Sequence, residues 1–143
     1  VTVDRPGIDL ARFHARGRVA GEGGVRALFA GHHFALKGLA RAIGALARHP
    51  DVTLTVAGRG PAARYQRLAR RLGVAARVQV AGVIPAARMP DLYRAHDVLL
   101  HPAYYDPCPR VVAEALACGC AVITTPECGA SEWLRPGGNG WII

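Results

Sequence analysis

Apolar runs and stretches of helical period alternate along the chain from Val25 onward. Apolar residues three or four positions apart predict one face of a helix, whereas short apolar runs rich in β-branched residues predict strands. The predicted strands are VRALFAG (25–31), VTLTVAG (52–58), RVQVAG (77–82), DVLLHP (97–102), AVITT (121–125) and one beginning at Trp141. The predicted helical faces comprise Leu36, Leu39, Ala40, Ile43 and Ala47, then Tyr65, Leu68, Ala69 and Leu72, with shorter helices at 90–94, after Cys108 and at 131–134.

Strands that alternate with helices over short connections imply right-handed crossovers and a parallel sheet. The sequence therefore predicts an α/β fold, a doubly wound, Rossmann-like sheet of about six strands with helices on both faces. Such sheets bind ligands at the carboxyl ends of their strands. The residues expected there are Gly31-His32-His33, Gly58-Arg59-Gly60-Pro61, Gly82-Val83, His101 to Pro107 and Thr125 to Gly129.

Composition narrows the class of protein. The 143 residues fit one domain with a substantial core, and hydrophobic residues at 51% with charged residues at 20% predict a soluble globular domain. The net charge of +8 comes from 17 arginines and one lysine that are scattered along the sequence, without interleaved aromatics, so no nucleic-acid partner is expected. A basic groove for a phosphorylated ligand, or docking to anionic lipid, remains compatible with the charge.

The division of the chain follows from the same pattern. Residues 1–24 show Gly, Pro and dispersed charge without a period and are interpreted as an interdomain connector, and 25–143 as a domain truncated at its C-terminus.

Four cysteines (Cys108, Cys118, Cys120, Cys128) without a secretory signal are expected to be reduced thiols in the cytoplasm. They lack C-x-x-C pairing, so no metal site is expected.

Two acids, Asp106 and Glu114, flank the Pro-Cys-Pro step of YYDPCPRVVAEALACG. If a helix begins near Cys108, eight positions correspond to about 12 Å of rise, too far for a shared proton or for one metal ion. This spacing suits a long ligand held at two places, with the helix N-terminus between them available to an anion. The alternatives are a helix-dipole acid for Asp106 and a surface helix residue for Glu114.

Lys37 is the single lysine of the chain and follows the first strand in GHHFALKG, so it is a candidate phosphate contact, with a solvated helix charge as the alternative. His32 and His33 could donate to a phosphate or cap the loop. Gly58-Arg59-Gly60 is only a weak match to a dinucleotide fingerprint, because the third glycine is missing.

Six motifs in order carry a resemblance to a known family. They are RPGIDLARF (5–13), GHHFALKG, VAGRGP with VAGVIP, LHPAYYDPCPRVVAEALACGCAVITT, CGASEW and GGNGWII. Nearly the whole chain thus resembles the C-terminal, donor-binding half of retaining glycosyltransferases with two Rossmann-like domains (GT-B fold, glycosyltransferase group 1), closest to the lipopolysaccharide-core glucosyltransferase-like branch.

The resemblance implies a role for each site residue. Asp106 would hold the sugar hydroxyls, Glu114 the nucleotide ribose and Lys37 the diphosphate. Backbone groups around Val83 would contact the base, and Gly58 and Gly60 would allow close approach. Donor contacts are also implied for His32, Pro109, Arg110 and Val111, and Gly129 with Glu132 would form a structural turn and cap.

The sequence departs from the family pattern at two points that bear on the site. Asp106 stands where the family has glutamate, and Leu36, Ala35 or His32 stands where an arginine normally accompanies the phosphate lysine.

The implied reaction is a metal-independent, cofactor-free transfer of a hexosyl group from a nucleotide sugar, expected to be a UDP-sugar, with retention of configuration. The acceptor, a glycan or lipid-linked molecule, would be bound by a missing N-terminal domain, so the fragment is expected to be inactive alone. The expected location is the cytoplasm, with peripheral membrane contact at the inner face. The alternatives are a nucleotide-sugar epimerase, an NAD-dependent enzyme, or a non-catalytic nucleotide- or nucleic-acid-binding module.

Overall fold

The computed structural model describes residues 7–18 and 21–143, and the first two residues of the RPGIDLARF motif lie outside them. Six strands and four α-helices alternate along the described chain, with short 3₁₀ turns at Ala75–Arg77, Ala86–Arg88 and Gly129–Trp133. The elements in order are β1 (Val25–Ala30), α1 (Leu39–Leu46), β2 (Val52–Ala57), α2 (Ala62–Arg71), β3 (Val78–Gly82), α3 (Met89–Arg94), β4 (Val98–His101), α4 (Arg110–Ala117), β5 (Ala121–Thr124) and β6 (Gly140–Ile142).

All six strands are parallel and form one sheet in the order β3-β2-β1-β4-β5-β6. The chain runs outward from β1 to β3 and then crosses back to place β4 on the other side of β1. The loops after β1 and β4 therefore diverge and leave a crevice between them, which is where doubly wound sheets bind ligands. The predicted fold class is confirmed.

The core lies on both faces of the sheet because side chains of a strand alternate between faces. In β1, Ala27 and Phe29 pack beneath α1 and α2, whereas Leu28 and Ala30 pack with residues of α3 and α4. Each layer of helices thus covers its own buried cluster.

One helical face differs from its prediction. The buried stripe of α1 comprises Leu39, Ala42, Ile43 and Leu46, whereas the predicted members Leu36, Ala40 and Ala47 are exposed. The helix begins at Leu39 after Gly38, whose φ of 79° is left-handed. Leu36 therefore precedes the helix and does not share its period.

The predicted connector packs on the domain in the part that the structure describes. Phe13 is 5% exposed and its ring centroid lies 6.2 Å from that of Tyr93 in α3. Arg18 pairs with Asp97 at the start of β4 at 3.3 Å. Residues 1–6 and 19–20 of the connector lie outside the described residues. No helix among the described residues is long and apolar enough to cross a membrane.

Candidate functional site

A cavity of about 510 Å³ opens at the carboxyl ends of the strands, where the loops after β1 and β4 diverge. This volume lies within the range of small-molecule sites. Its wall is built from the loops after β1, β2, β3 and β4 and from the first two turns of α4. Nine of the ten predicted site residues line it: His32, Lys37, Gly58, Val83, Asp106, Pro109, Arg110, Val111 and Glu114.

Gly60 is the exception and does not line the cavity. A Cβ at Gly60 would overlap the Phe34 ring, so this glycine makes room for a core side chain rather than for a ligand. Gly58 lines the cavity, but its φ of 137° and its closeness to the Gly31 carbonyl serve the contact between two loops. Both glycines are required by packing within the protein.

The Asp106 carboxylate is held by two donors on the same oxygen. Lys37 Nζ lies 2.6 Å and His101 Nε2 lies 2.8 Å from Asp106 Oδ2. Burial opposes ionisation, but the hydrogen bonds from His101 and Lys37 outweigh it and hold the pKa of the Asp106 carboxyl below its usual value. Asp106 is therefore a charged acceptor at neutral pH.

Two contacts between the loops bring Lys37 to Asp106. A Cβ at Gly38 would overlap the carbonyl oxygen of Pro102, so glycine lets the start of α1 approach the loop after β4. The Tyr104 backbone N–H donates to the Leu36 carbonyl at 2.9 Å. Lys37 lies between these contacts with its side chain 19% exposed, so the interpretation as a solvated helix charge was wrong.

The loop after β5 fixes the Asp106 backbone. The Asp106 N–H donates to the Glu127 carbonyl at 3.2 Å, and the Gly129 N–H donates to the Asp106 carbonyl at 2.9 Å. A Cβ at Gly129 would overlap the Pro107 carbonyl oxygen, so this position requires glycine. The position of Asp106 thus depends on β5 as well as on β4.

Glu114 lies in the second turn of α4 and is 9% exposed, so its interpretation as a surface residue was wrong. The Tyr93 hydroxyl donates to Glu114 Oε2 at 3.0 Å, and Arg110 Nη2 lies 3.6 Å from Oε1. Burial, with the charge of Glu114 beside it, raises the pKa of Tyr93, so the hydroxyl stays protonated and donates. The Tyr93 hydroxyl on α3 thereby orients the Glu114 carboxylate.

The N-terminus of α4 forms the wall between the two acids. The helix begins at Arg110, no side chain caps it, and Pro109, Arg110 and Val111 line the cavity. Uncapped N–H groups at a helix start attract an anion. Asp106 precedes the helix, so the helical rise of about 12 Å does not measure its separation from Glu114. The two carboxylates have different hydrogen-bond partners: His101 for Asp106 and Tyr93 for Glu114.

His32 has one ring nitrogen already engaged. Its Nδ1 accepts a hydrogen bond from the Arg59 backbone N–H at 3.0 Å, so it caps the loop after β2. An accepting Nδ1 in a neutral ring leaves Nε2 protonated, and this group can donate into the cavity. Its neighbour His33 has a φ of 55°, the one positive φ among described residues other than glycine.

Two residues of the site had no role in the sequence prediction, although His101 was expected at a strand end. His101 ends β4 and lines the cavity, and its position at a strand end was the only signal available. Tyr93 lies on the buried face of α3, where periodicity indicates packing and not a partner for Glu114. No group of three His, Cys, Asp or Glu side chains suited to a metal ion occurs among the described residues.

Comparison with known proteins places this chain in a family. The family profile described as Glycosyl transferases group 1 matches residues 14–143. The chain belongs to this family. It is 33% identical over 118 residues to the lipopolysaccharide glucosyltransferase WaaG of Escherichia coli K12, a match covering 79% of this chain and 31% of that protein.

Solved structures support the assignment. The crystal structure of WaaG superposes with a TM-score of 0.78 at 32% identity, over 86% of this chain and 34% of that one. The Anabaena protein Alr3699/HepE, solved in complex with UDP and glucose, superposes with a TM-score of 0.76 at 28% identity, over 84% of this chain and 34% of that one. The chain thus spans about a third of the length of the relatives it matches.

Membership of this family favours the glycosyltransferase interpretation of the sequence over an epimerase or an NAD-dependent enzyme.

Proposed function

We propose that this domain binds the nucleotide-sugar donor of a hexosyl transfer that retains the anomeric configuration. The observation that supports this most directly is the arrangement of one cavity wall. Asp106 and Glu114, both buried, line the same cavity as Lys37 and the uncapped N-terminus of α4. A carboxylate at each end can accept hydrogen bonds from the hydroxyls of a sugar and of a ribose. The lysine and the helix N–H groups between them can bind the diphosphate that joins the two.

Each group then has a chemical role. Asp106 accepts from hydroxyls of the donor sugar and Glu114 from those of the ribose, while backbone groups near Val83 contact the base. Lys37 and the first N–H groups of α4 stabilise the negative charge that develops on the departing diphosphate. This electrostatic stabilisation needs no resident cofactor or metal ion in the proposed mechanism.

Arg110 supplies a second positive charge in place of the family arginine that this chain lacks. It is the first residue of α4, lines the cavity, and its side chain is 62% exposed. Its distance of 3.6 Å from Glu114 is longer than a close ion pair. The guanidinium can therefore turn towards a diphosphate at the helix start without breaking a short contact.

The acceptor, a glycan or lipid-linked molecule, is bound by an N-terminal domain. The donor-binding domain does not catalyse sugar transfer without it. The length of the chain, about a third of its relatives, supports this division. The UDP and glucose bound by Alr3699/HepE support a UDP-sugar as donor.

The protein acts in the cytoplasm, in peripheral contact with the inner face of the membrane. Between residues 52 and 90 the chain has seven arginines and no acid. Four of them are exposed on α2: Arg64, Arg67, Arg70 and Arg71. A surface of this charge is attracted to anionic lipid.

Calorimetry with UDP-, GDP- and ADP-sugars tests the donor proposal. We expect the domain to bind a UDP-sugar, and Asp106→Ala and Glu114→Ala each to weaken binding by about tenfold, as expected for a lost hydrogen bond to a charged group. Asp51→Ala is the matched control, because it removes an exposed acid outside the cavity. If the folded domain binds none of these nucleotide sugars, the proposed function is wrong.

A further inference from the structure

His101 is a buried histidine in the wall of the cavity without an assigned role. It ends the central strand β4 and is 1% exposed. Its Nε2 lies 2.8 Å from Asp106 Oδ2, whereas its buried Nδ1 has no hydrogen-bond partner among the described residues. Burying a ring with one nitrogen unsatisfied is unfavourable, and packing alone would be met as well by an apolar side chain.

The protonation of the ring follows from its partner. The ionised Asp106 carboxylate can only accept, so His101 Nε2 must carry the proton and donate. The backbone of His101 is fixed by pairing with Thr124 in β5, and the Thr124 hydroxyl donates to the His101 carbonyl at 2.8 Å. His101 therefore presents a rigid donor.

Lys37, the other donor to Asp106 Oδ2, differs from His101 in mobility and in chemistry. It has a long flexible side chain that is 19% exposed, and it also faces the position proposed for the diphosphate. A bound diphosphate would compete with Asp106 for the lysine, whereas the fixed ring of His101 remains on Oδ2. The second carboxylate oxygen, Oδ1, takes part in neither contact.

We propose that His101 is a positioning residue that holds Asp106 Oδ2, so that Oδ1 is directed at a hydroxyl of the donor sugar while Lys37 engages the diphosphate. This inference rests on the proposed function, and it separates two parts of the donor. His101 matters for the sugar, which Asp106 contacts, and not for the nucleoside diphosphate.

The test compares affinities for UDP-glucose and for UDP in the full 143-residue chain. For His101→Leu we expect affinity for UDP-glucose to fall about tenfold and affinity for UDP to change less than about twofold. His101→Gln restores UDP-glucose affinity to within about threefold of wild type, because its amide nitrogen can occupy the position of Nε2. His101→Asn, whose amide is one bond shorter, behaves as the leucine variant does.

His96→Leu is the matched control, since His96 is also buried but its ring bonds to Leu92 and Thr55, away from the cavity. It leaves the ratio of the two affinities unchanged. Thermal unfolding of every variant identifies any that do not fold; if His101→Leu does not, the comparison of His101→Asn with His101→Gln decides.

An equal loss of UDP and UDP-glucose affinity, or no loss of either, in folded His101→Leu or His101→Asn protein would overturn this inference alone. Wild-type protein that binds neither ligand would overturn the proposed function, and this inference with it.

Discussion

Removal of one hydroxyl, in Tyr93→Phe, isolates the interaction that orients Glu114. The change leaves the ring in its place in the core, where Tyr93 is 0% exposed. It removes only the donor that lies 3.0 Å from Glu114 Oε2. Glu114 then remains largely buried, and Arg110, whose Nη2 lies 3.6 Å from Oε1, is the charged group that remains beside it. We expect lower stability and weaker binding of a UDP-sugar.

The magnitude follows from the chemistry of the bond. A hydrogen bond to a charged group contributes about 1.5–3 kcal/mol, and breaking it leaves a buried acceptor unsatisfied. The Glu114 side chain is 12% exposed, so water can reach part of the carboxylate and the lower half of that range applies. The free energy of unfolding should fall by about 1.5–2 kcal/mol, which corresponds to roughly 5–8 °C in Tm for a domain of this size.

Urea unfolding followed by circular dichroism measures this difference. Tyr65→Phe is the matched control, because Tyr65 is also a core tyrosine, 3% exposed, but none of its described contacts is a hydrogen bond from its hydroxyl. It should change stability by less than about 0.5 kcal/mol. If the two phenylalanine variants are equally stable, the hydroxyl does not support Glu114 and the reasoning fails.

Three further predictions concern other parts of the molecule. Gly129→Ala forces a Cβ against the loop after β4 and should lower stability by about 1–3 kcal/mol, whereas Gly44→Ala, with open space in α1, should raise it by about 0.5–1 kcal/mol; chemical denaturation measures both. A thiol reagent should modify one cysteine in the native protein and four after denaturation, because Cys108 is exposed while the other three are buried, and burial raises the pKa of Cys120 to about 12. Since the pKa of Asp106 is lowered by folding, its charge contributes stability above its unfolded pKa; the stability difference between wild type and Asp106→Asn should be full above about pH 5 and shrink as the pH falls below about 4. A difference that grew on acidification would contradict the ion-pair geometry.

The strands could be predicted because buried parallel strands are continuous apolar runs that end at glycine or polar residues. The buried stripe of α1 could not be predicted in the same way. The start of that helix depends on Gly38 lying against Pro102, a contact between distant parts of the chain. Local periodicity does not contain this contact, so Leu36 was assigned to a helix that begins three residues later.

The same distinction applies to the candidate site. Topology alone brings the strand-end residues Lys37 and Asp106 together, so they could be predicted to share a cavity. The pairing of Tyr93 with Glu114 depends on how α3 packs on α4, and Gly60 lies near the site in sequence but serves Phe34. Side-chain partners across elements follow from packing, which one sequence does not display.

The pairing of β1 with β4 also has a consequence for how the protein acquires its binding capacity. The two strands are joined by a long stretch of chain that includes β2 and β3, and Lys37 meets Asp106 only when they pair. Contacts between residues far apart in sequence form late because closing the loop is unfavourable. During refolding, helical structure should therefore appear before ligand affinity does, and recovery of binding reports the closure of the sheet at its centre.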